Sequence, residues 1–212
     1  RLLADVSHEL RSPLARLQMA LGLAHQQNVD PATLSRVERE ADRMEALVSQ
    51  LLTLSRAEAG EANMQKHALS LVLNDVLTDA NFEVANKNKQ LKIDDIPKKT
   101  VVIDSMMFCR AVENVLRNAI RHSKLVTHIA FSEDAQHWCI HITDDGDGLT
   151  IEECERIFSP FYRATLARER ESGGVGLGLS IAKAAVELHH GRIIAEPAER
   201  GGLRVTMSFP KL

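Results

Sequence analysis

Aromatic residues are scarce: one Trp, one Tyr and six Phe, 4% of 212 residues. A core with so few rings must be aliphatic, which suits helices packed through Leu, Val, Met and Ala. Three cysteines (Cys109, Cys139 and Cys154), none in a C-x-x-C pair, are too few and too scattered for a disulfide framework. Buried, reduced thiols are the expected state. Basic excess is also lacking, because 26 Lys and Arg stand against 29 Asp and Glu for a net charge of −3. That argues against a general nucleic-acid binder, which carries strong positive charge. No apolar run approaches the roughly 20 residues of a membrane span, and no signal peptide is visible. What remains is a globular composition, 44% hydrophobic and 26% charged, long enough for one large domain or two small ones. An amphipathic pattern is already running at Arg1, which predicts a piece of a longer chain.

Glycine and proline nearly vanish from residues 1–58, where only Gly22, Pro13 and Pro31 occur. Leu3, Val6, Leu10, Leu17, Leu21 and Ala24 recur at spacings of three, four or seven, one apolar stripe of a long helix. Asn28-Val29-Asp30-Pro31 predicts a stop and restart, with Asp30 as N-cap and Pro31 at the first helical position. Leu34, Val37, Ala41, Met44, Val48, Leu51 and Ser55 form a second stripe near heptad spacing. The expectation is a helical hairpin over 1–58. One hairpin of this size cannot bury both stripes, whereas two copies make a four-helix bundle, so a homodimer is predicted. Residues 59–67 lose the heptad and are expected to be a linker.

From residue 68 to 212 the pattern changes to an α+β domain. Helices are expected over Leu71–Glu83, Ser105–His122 and Leu177–His190, the last closed by Gly191. Strands are expected at Leu91–Ile93, Val101–Ile103, Thr127–Phe131, Trp138–Thr143, Ile193–Ala195 and Leu203–Phe209. The alternation of Trp138, Ile140 and Ile142 with Cys139, His141 and Thr143 describes a sheet with one buried face.

Four constellations carry chemistry. In Ser7–Leu14, Glu9 lies beside His8 and Ser12 follows His8 by four residues, about 40° round the same helix face. A neutral imidazole is a nucleophile, and a carboxylate on one ring nitrogen raises electron density at the other. Pro13 costs about 3 kcal/mol or more in a helix interior and should bend the helix beside His8. A solvated His-Glu pair is the bland alternative. In the second, Asn114 and Asn118 share a helix face, with hard amide oxygens suited to Mg²⁺ and with Arg121 and His122 following near a prospective phosphate; a polar helix edge is the plain alternative. In the third, Asp144-Asp145-Gly146-Asp147-Gly148 places a carboxylate at a strand end, able to accept the hydrogen bond of an adenine amino group, before glycines that let the backbone approach a ligand. A hairpin turn is its bland reading, and the EF-hand register fails. In the fourth, Gly173–Leu179 opens a helix, where glycine amides cradle phosphate. It fits neither the G-x-G-x-x-G pattern, because residue 179 is Leu, nor a P-loop, because no Lys precedes Ser180. The polar stretch with Arg168 and Arg170 before it looks like a mobile lid.

In this order the motifs resemble the sensor histidine kinases of two-component signalling. Ser7–Leu14 is similar to the H box, Asn114–Asn118 to the N box, Asp144–Gly148 to the G1 box, Phe158–Phe161 to the F box and Gly174–Leu179 to the G2 box. Phe161-Tyr162-Arg163 and the 168–178 stretch most resemble the Cpx-type envelope-stress kinases. The resemblance implies a dimeric antiparallel helical hairpin followed by a Bergerat-type α/β sandwich that binds ATP and Mg²⁺. It implies His8 as phosphoacceptor and Glu9 as its base. Asn118, with Asn114, would hold the metal. Asp144 would take the adenine amino group, with Gly146 and Gly148 beside it. Gly174, Gly176, Leu177 and Gly178 would line the triphosphate, with Arg121 and Arg163 as further phosphate contacts. It also implies a response regulator as partner, no nucleic acid, and the cytoplasmic portion of a bacterial inner-membrane protein held there by its missing N-terminal part. Gyrase-type relatives carry a water-activating Glu where Asn114 stands, which argues against a plain ATPase. Ser12 stands where many relatives have Thr or Asn, so regulator dephosphorylation is expected to persist but weaken. A non-catalytic nucleotide-sensing docking module is the competing reading. His137 with His141, and His189 with His190, lack metal-ligand spacing to a third partner, so no zinc site is expected.

Overall fold

The computed structural model describes residues 22, 31–163, 176–199 and 201–211. The chain divides into two compact units, residues 1–59 and 60–212. In the first, α1 (Pro31–Glu58) starts at the predicted proline, whose missing N–H costs nothing at a helix start. Leu34, Ala41 and Val48, seven apart, are buried, as are Leu52, Leu54 and Ala57. Val37 and Met44, the other heptad track, are 38% and 46% exposed. Leu51 and Ser55 of the expected stripe are half-buried. Apart from Gly22, which is helical and exposed, the predicted first helix and its H box lie outside the described residues.

In the second unit β1 (Gln65–Ala68) leads into α2 (Leu69–Asn86), β2 (Gln90–Ile93), β3 (Thr100–Ile103) and α3 (Ser105–His122). Then come β4 (Val126–Glu133), β5 (His137–Asp144), α4 (Ile151–Arg156), α5 (Gly178–Leu188), β6 (Arg192–Pro197) and β7 (Leu203–Pro210). Strand β1 rises out of the segment expected to be a linker and pairs antiparallel with β3 from Gln65↔Ile103 to Ala68↔Thr100. Five strands form a mixed sheet in the order β2-β4-β5-β7-β6, with only β2 and β4 parallel. Helix α3 packs against α2, α5 and β5 on one face of this sheet. The result is a helical unit and an α/β sandwich.

Strand β5 shows how the sequence sets the layers. Trp138, Ile140, Ile142 and Asp144 are buried while the alternate residues are half-buried, as the period-two rule requires. Most of the core is aliphatic, yet the few rings gather. Phe108, Trp138 and Phe209 lie with centroids 4.6–5.9 Å apart. This cluster sits at the Trp138 end of β5, about 20 Å of strand from Asp144. Helix α5 ends differently from expectation: His190, not Gly191, takes the left-handed conformation, at φ 57°. Gly191 is required by proximity instead, since a Cβ there would meet the Ser208 carbonyl oxygen at 2.4 Å.

Candidate functional site

The end of β5 carries the most constrained carboxylate. Asp144 is 4% exposed, and its Oδ1 accepts the N–H of Gly146 at 2.9 Å and of Leu203 at 3.4 Å. Its Oδ2 takes no protein hydrogen bond among the described residues. Burial pushes the carboxyl up to about 6, against the lowering effect of those two N–H donors. Thr127 pairs with Asp144 across the β4–β5 ladder, so both side chains leave the sheet on one face. Thr127 is fully buried, and its hydroxyl has no protein partner among the described residues.

Glycines press backbone against this carboxylate. A Cβ on Gly146 would stand 2.5 Å from the His122 carbonyl oxygen and 2.7 Å from Asp144 Oδ1. Gly148, at φ 75°, would place one 2.9 Å from the Gly202 carbonyl oxygen. The neighbouring Asp145 stitches the loop to the end of α3, since its carboxylate accepts the N–H groups of Lys124, Leu125 and Val126 at 2.8–3.2 Å. Burial alone would raise this carboxyl, but those donors hold it below the ordinary value. Lys89 caps the same helix end, with Nζ donating to the carbonyls of Ile120 and Ser123 at 2.6 Å each. Burial, with Lys87 nearby, lowers the Lys89 ammonium from its usual range.

Two further elements carry expected site residues. On α3, Asn114 spends its amide N–H on the Arg110 carbonyl at 2.8 Å. Its Oδ1 lies 2.9 Å from where a Cβ of Gly178 would sit, so the N box and the first residue of α5 are in direct apposition. Asn118, one turn on, is half-buried. Gly176 (φ 84°) accepts the Phe161 N–H at 2.9 Å, tying the F-box segment to the glycine loop. Leu177 is buried ahead of α5, whose first N–H groups have no intrahelical acceptor. Arg121 is exposed and Arg163 half-buried. His8, Glu9, Ser12 and Gly174 lie outside the described residues.

The expected Asn114, Asn118, Asp144, Gly146, Gly148, Gly176, Leu177 and Gly178 thus all fall in one unit. Sequence reasoning missed Lys89, Asp145 as a loop stitch, and Gly202. The available signal for Gly202 was a Gly-Gly pair standing directly before a clean alternating strand. His141, read as bland, bridges Ser132 Oγ at 2.7 Å and Thr206 Oγ1 at 3.0 Å on the other sheet face, and burial lowers its pKa.

The end of β5 thus brings together a carboxylate oxygen of Asp144 with no protein hydrogen bond among the described residues, the orphan Thr127 hydroxyl paired across the ladder, and glycine positions where a Cβ would clash. The Asn114 amide oxygen beside a helix start is a hard donor of the kind a divalent cation takes.

Residues 103–212 match the family of histidine kinase-, DNA gyrase B-, and HSP90-like ATPases, and residues 1–60 match the His Kinase A phospho-acceptor domain. The sensor histidine kinase CpxA of Escherichia coli K12 is 38% identical over 99% of the chain, and WalK of Bacillus subtilis is 32% identical over 98%. The chain spans 46% and 36% of those two relatives. Among solved structures, full-length ShkA in complex with AMPPNP superposes with a TM-score of 0.82 at 19% identity, over 98% of this chain and 45% of that one. The Acinetobacter baumannii kinase AdeS superposes with a TM-score of 0.68 at 22% identity, over 96% and 97%. Both show the fold.

Proposed function

The chain belongs to the sensor histidine kinases, and we propose on that premise that it is an ATP-dependent protein-histidine kinase core. It phosphorylates its own His8 and passes the phosphoryl group to an aspartate of a cognate response regulator. The observation that carries this reading is the buried Asp144 carboxylate, with one oxygen anchored to Gly146 and Leu203 and the other without a protein hydrogen bond among the described residues. An ionised carboxylate there accepts the adenine amino N–H, and the glycine floor admits a flat base. The AMPPNP in the ShkA complex supports an adenine nucleotide as donor.

The phosphates lie on the N-terminus of α5, with Gly174, Gly176, Leu177 and Gly178 supplying close backbone and Arg121 and Arg163 supplying charge. Asn114 and Asn118 would hold Mg²⁺, which when bound neutralises charge on the phosphate oxygens. His8 attacks the γ-phosphorus through one ring nitrogen. Glu9 accepts the proton of the other, and ADP leaves with the bond electrons. Ser12 positions water for regulator dephosphorylation, less firmly than Thr because it lacks the methyl group that restricts its rotamers. Ser12→Thr should accelerate that dephosphorylation. The exposed Val37 and Met44 track of α1 supports a homodimer, in which a second copy covers it. The family reading supports a position on the cytoplasmic side of a bacterial inner membrane, as part of a longer protein.

The test is incubation with Mg²⁺ and γ-labelled ATP, comparing the native chain with His8→Ala. Acid-labile label that is lost in the variant is the expected result. Nucleotide binding without any label overturns the kinase reading.

A further inference from the structure

The turn joining β6 to β7 touches the Asp144 loop, and none of the four sequence constellations includes it. It is closed by the Gly201 N–H on the Ala198 carbonyl at 3.0 Å and the Ala198 N–H on the Gly202 carbonyl at 3.1 Å. Both glycines sit at φ 86°, where a side chain is strained. Their surroundings differ sharply. A Cβ on Gly201 would have only the Gly146 carbonyl oxygen near it, at 3.7 Å. A Cβ on Gly202 would lie 1.9 Å from the Asp144 carbonyl oxygen and 2.8 Å from the Gly146 nitrogen. Those are backbone atoms of the loop that supplies the base-binding carboxylate, and they cannot step aside as a flexible side chain can. The residue after Gly202 is Leu203, whose N–H reaches Asp144 Oδ1. Register continues this logic: Thr143 pairs with Arg204, so Leu203 stands opposite Asp144. There its N–H meets the Asp144 side chain.

We propose that Gly202 is a positioning residue of the nucleotide site. By lying against the Asp144 carbonyl, it brings the Leu203 N–H onto Oδ1 and thereby turns Oδ2 to the base. This rests on the reading of Asp144 as the adenine acceptor. It adds a structural element, the β6–β7 turn, that sets the orientation of that acceptor from 58 residues away. The two adjacent glycines provide their own control, because they share one φ and differ in what a methyl group would strike.

The experiment measures ATP binding by the full chain across pH 5–8 for Gly202→Ala, Gly201→Ala and Asp144→Asn, with ligand-free melting alongside. Gly202→Ala should weaken ATP about tenfold or more, the scale of a lost hydrogen bond to a charged group. It should also move the pH midpoint of binding upward, because the carboxylate has lost a donor. Gly201→Ala, with equal backbone strain, should stay within about twofold of the native affinity and keep its midpoint. Equal affinities and equal midpoints for the two glycine variants overturn the proposal. If Asp144→Asn binds ATP like the native chain, the adenine reading itself falls, which separates the two failures. Should Gly202→Ala not fold, an ester in place of the Gly202–Leu203 amide removes the Leu203 N–H without adding a Cβ. An upward midpoint shift in that chain supports the proposal, and an unmoved midpoint overturns it.

Discussion

The backbone N–H of Asp104 donates to Nε2 of His189 at 3.0 Å, joining the start of α3 to the end of α5. The other ring nitrogen of His189 donates to the Ala185 carbonyl at 2.6 Å, so the buried imidazole is neutral, with its proton on Nδ1. The Asp104 side chain completes the junction: Oδ1 caps α3 through the Met107 N–H, and Oδ2 accepts the Asn63 N–H just before β1. His189→Leu keeps an apolar body against Phe108 and Phe209 but leaves the Asp104 N–H buried without an acceptor. A loss of about 2–3 kcal/mol is expected, read as a lower urea midpoint at unchanged slope.

Asp144 ties stability and ligand binding to pH with opposite signs. Burial raises its folded-state pKa to about 6, above the ordinary 3.8. Between those values the folded chain binds more protons than the unfolded one, so this group makes the ligand-free protein more stable as pH falls from about 6 to about 4. On the proposed reading nucleotide binding needs the carboxylate, so it should weaken over the same descent. Asp144→Asn should therefore stabilise the ligand-free chain at pH 7, by up to about 2 kcal/mol, while abolishing measurable ATP binding. Calorimetric melts and ATP titrations at pH 5, 6 and 7 check both halves.

Asp145 has the reverse sign. Its folded pKa is depressed, so its contribution is present above about 3.8 and is lost as pH falls. Asp145→Ala leaves the N–H groups of Lys124, Leu125 and Val126 to water and releases the loop from the end of α3. A cost of about 2 kcal/mol is expected, with Asp145→Asn retaining part of it because its amide oxygen still accepts. Denaturation of both variants at pH 7 measures the difference.

These residues also show which parts were legible beforehand. Helix α3 was readable to the residue because its amphipathic period is strong. Asp144 was readable because it continues the Trp138, Ile140, Ile142 alternation to the strand end. Strand β1 was not, since Gln65-Lys66-His67-Ala68 carries no apolar alternation and is held by backbone pairing to β3. Helix α4 was missed because six residues cannot display a helical period, although its Thr150–Glu153 capping box was present in the sequence. Lys89 and Gly202 act on groups distant along the chain, and no local pattern announces such contacts.

Gly176 makes the last prediction. Its φ is 84°, and a Cβ would stand 2.9 Å from both the Phe161 carbonyl carbon and the Tyr162 carbonyl oxygen. Phe161 is itself left-handed, at φ 62°, and donates its N–H to Gly176. A methyl group at 176 must therefore separate two segments that a hydrogen bond holds together, next to the start of α5. Gly60 offers the comparison, with φ 71° and nothing within 4 Å of its Cβ position. Gly60→Ala should cost only the strain of a left-handed residue, about 1 kcal/mol, and leave ATP affinity unchanged. Gly176→Ala should lower ATP affinity by about tenfold or more and increase hydrogen exchange at the Phe161 amide. Unaltered exchange there, with lowered affinity, would instead locate the effect at the phosphates alone.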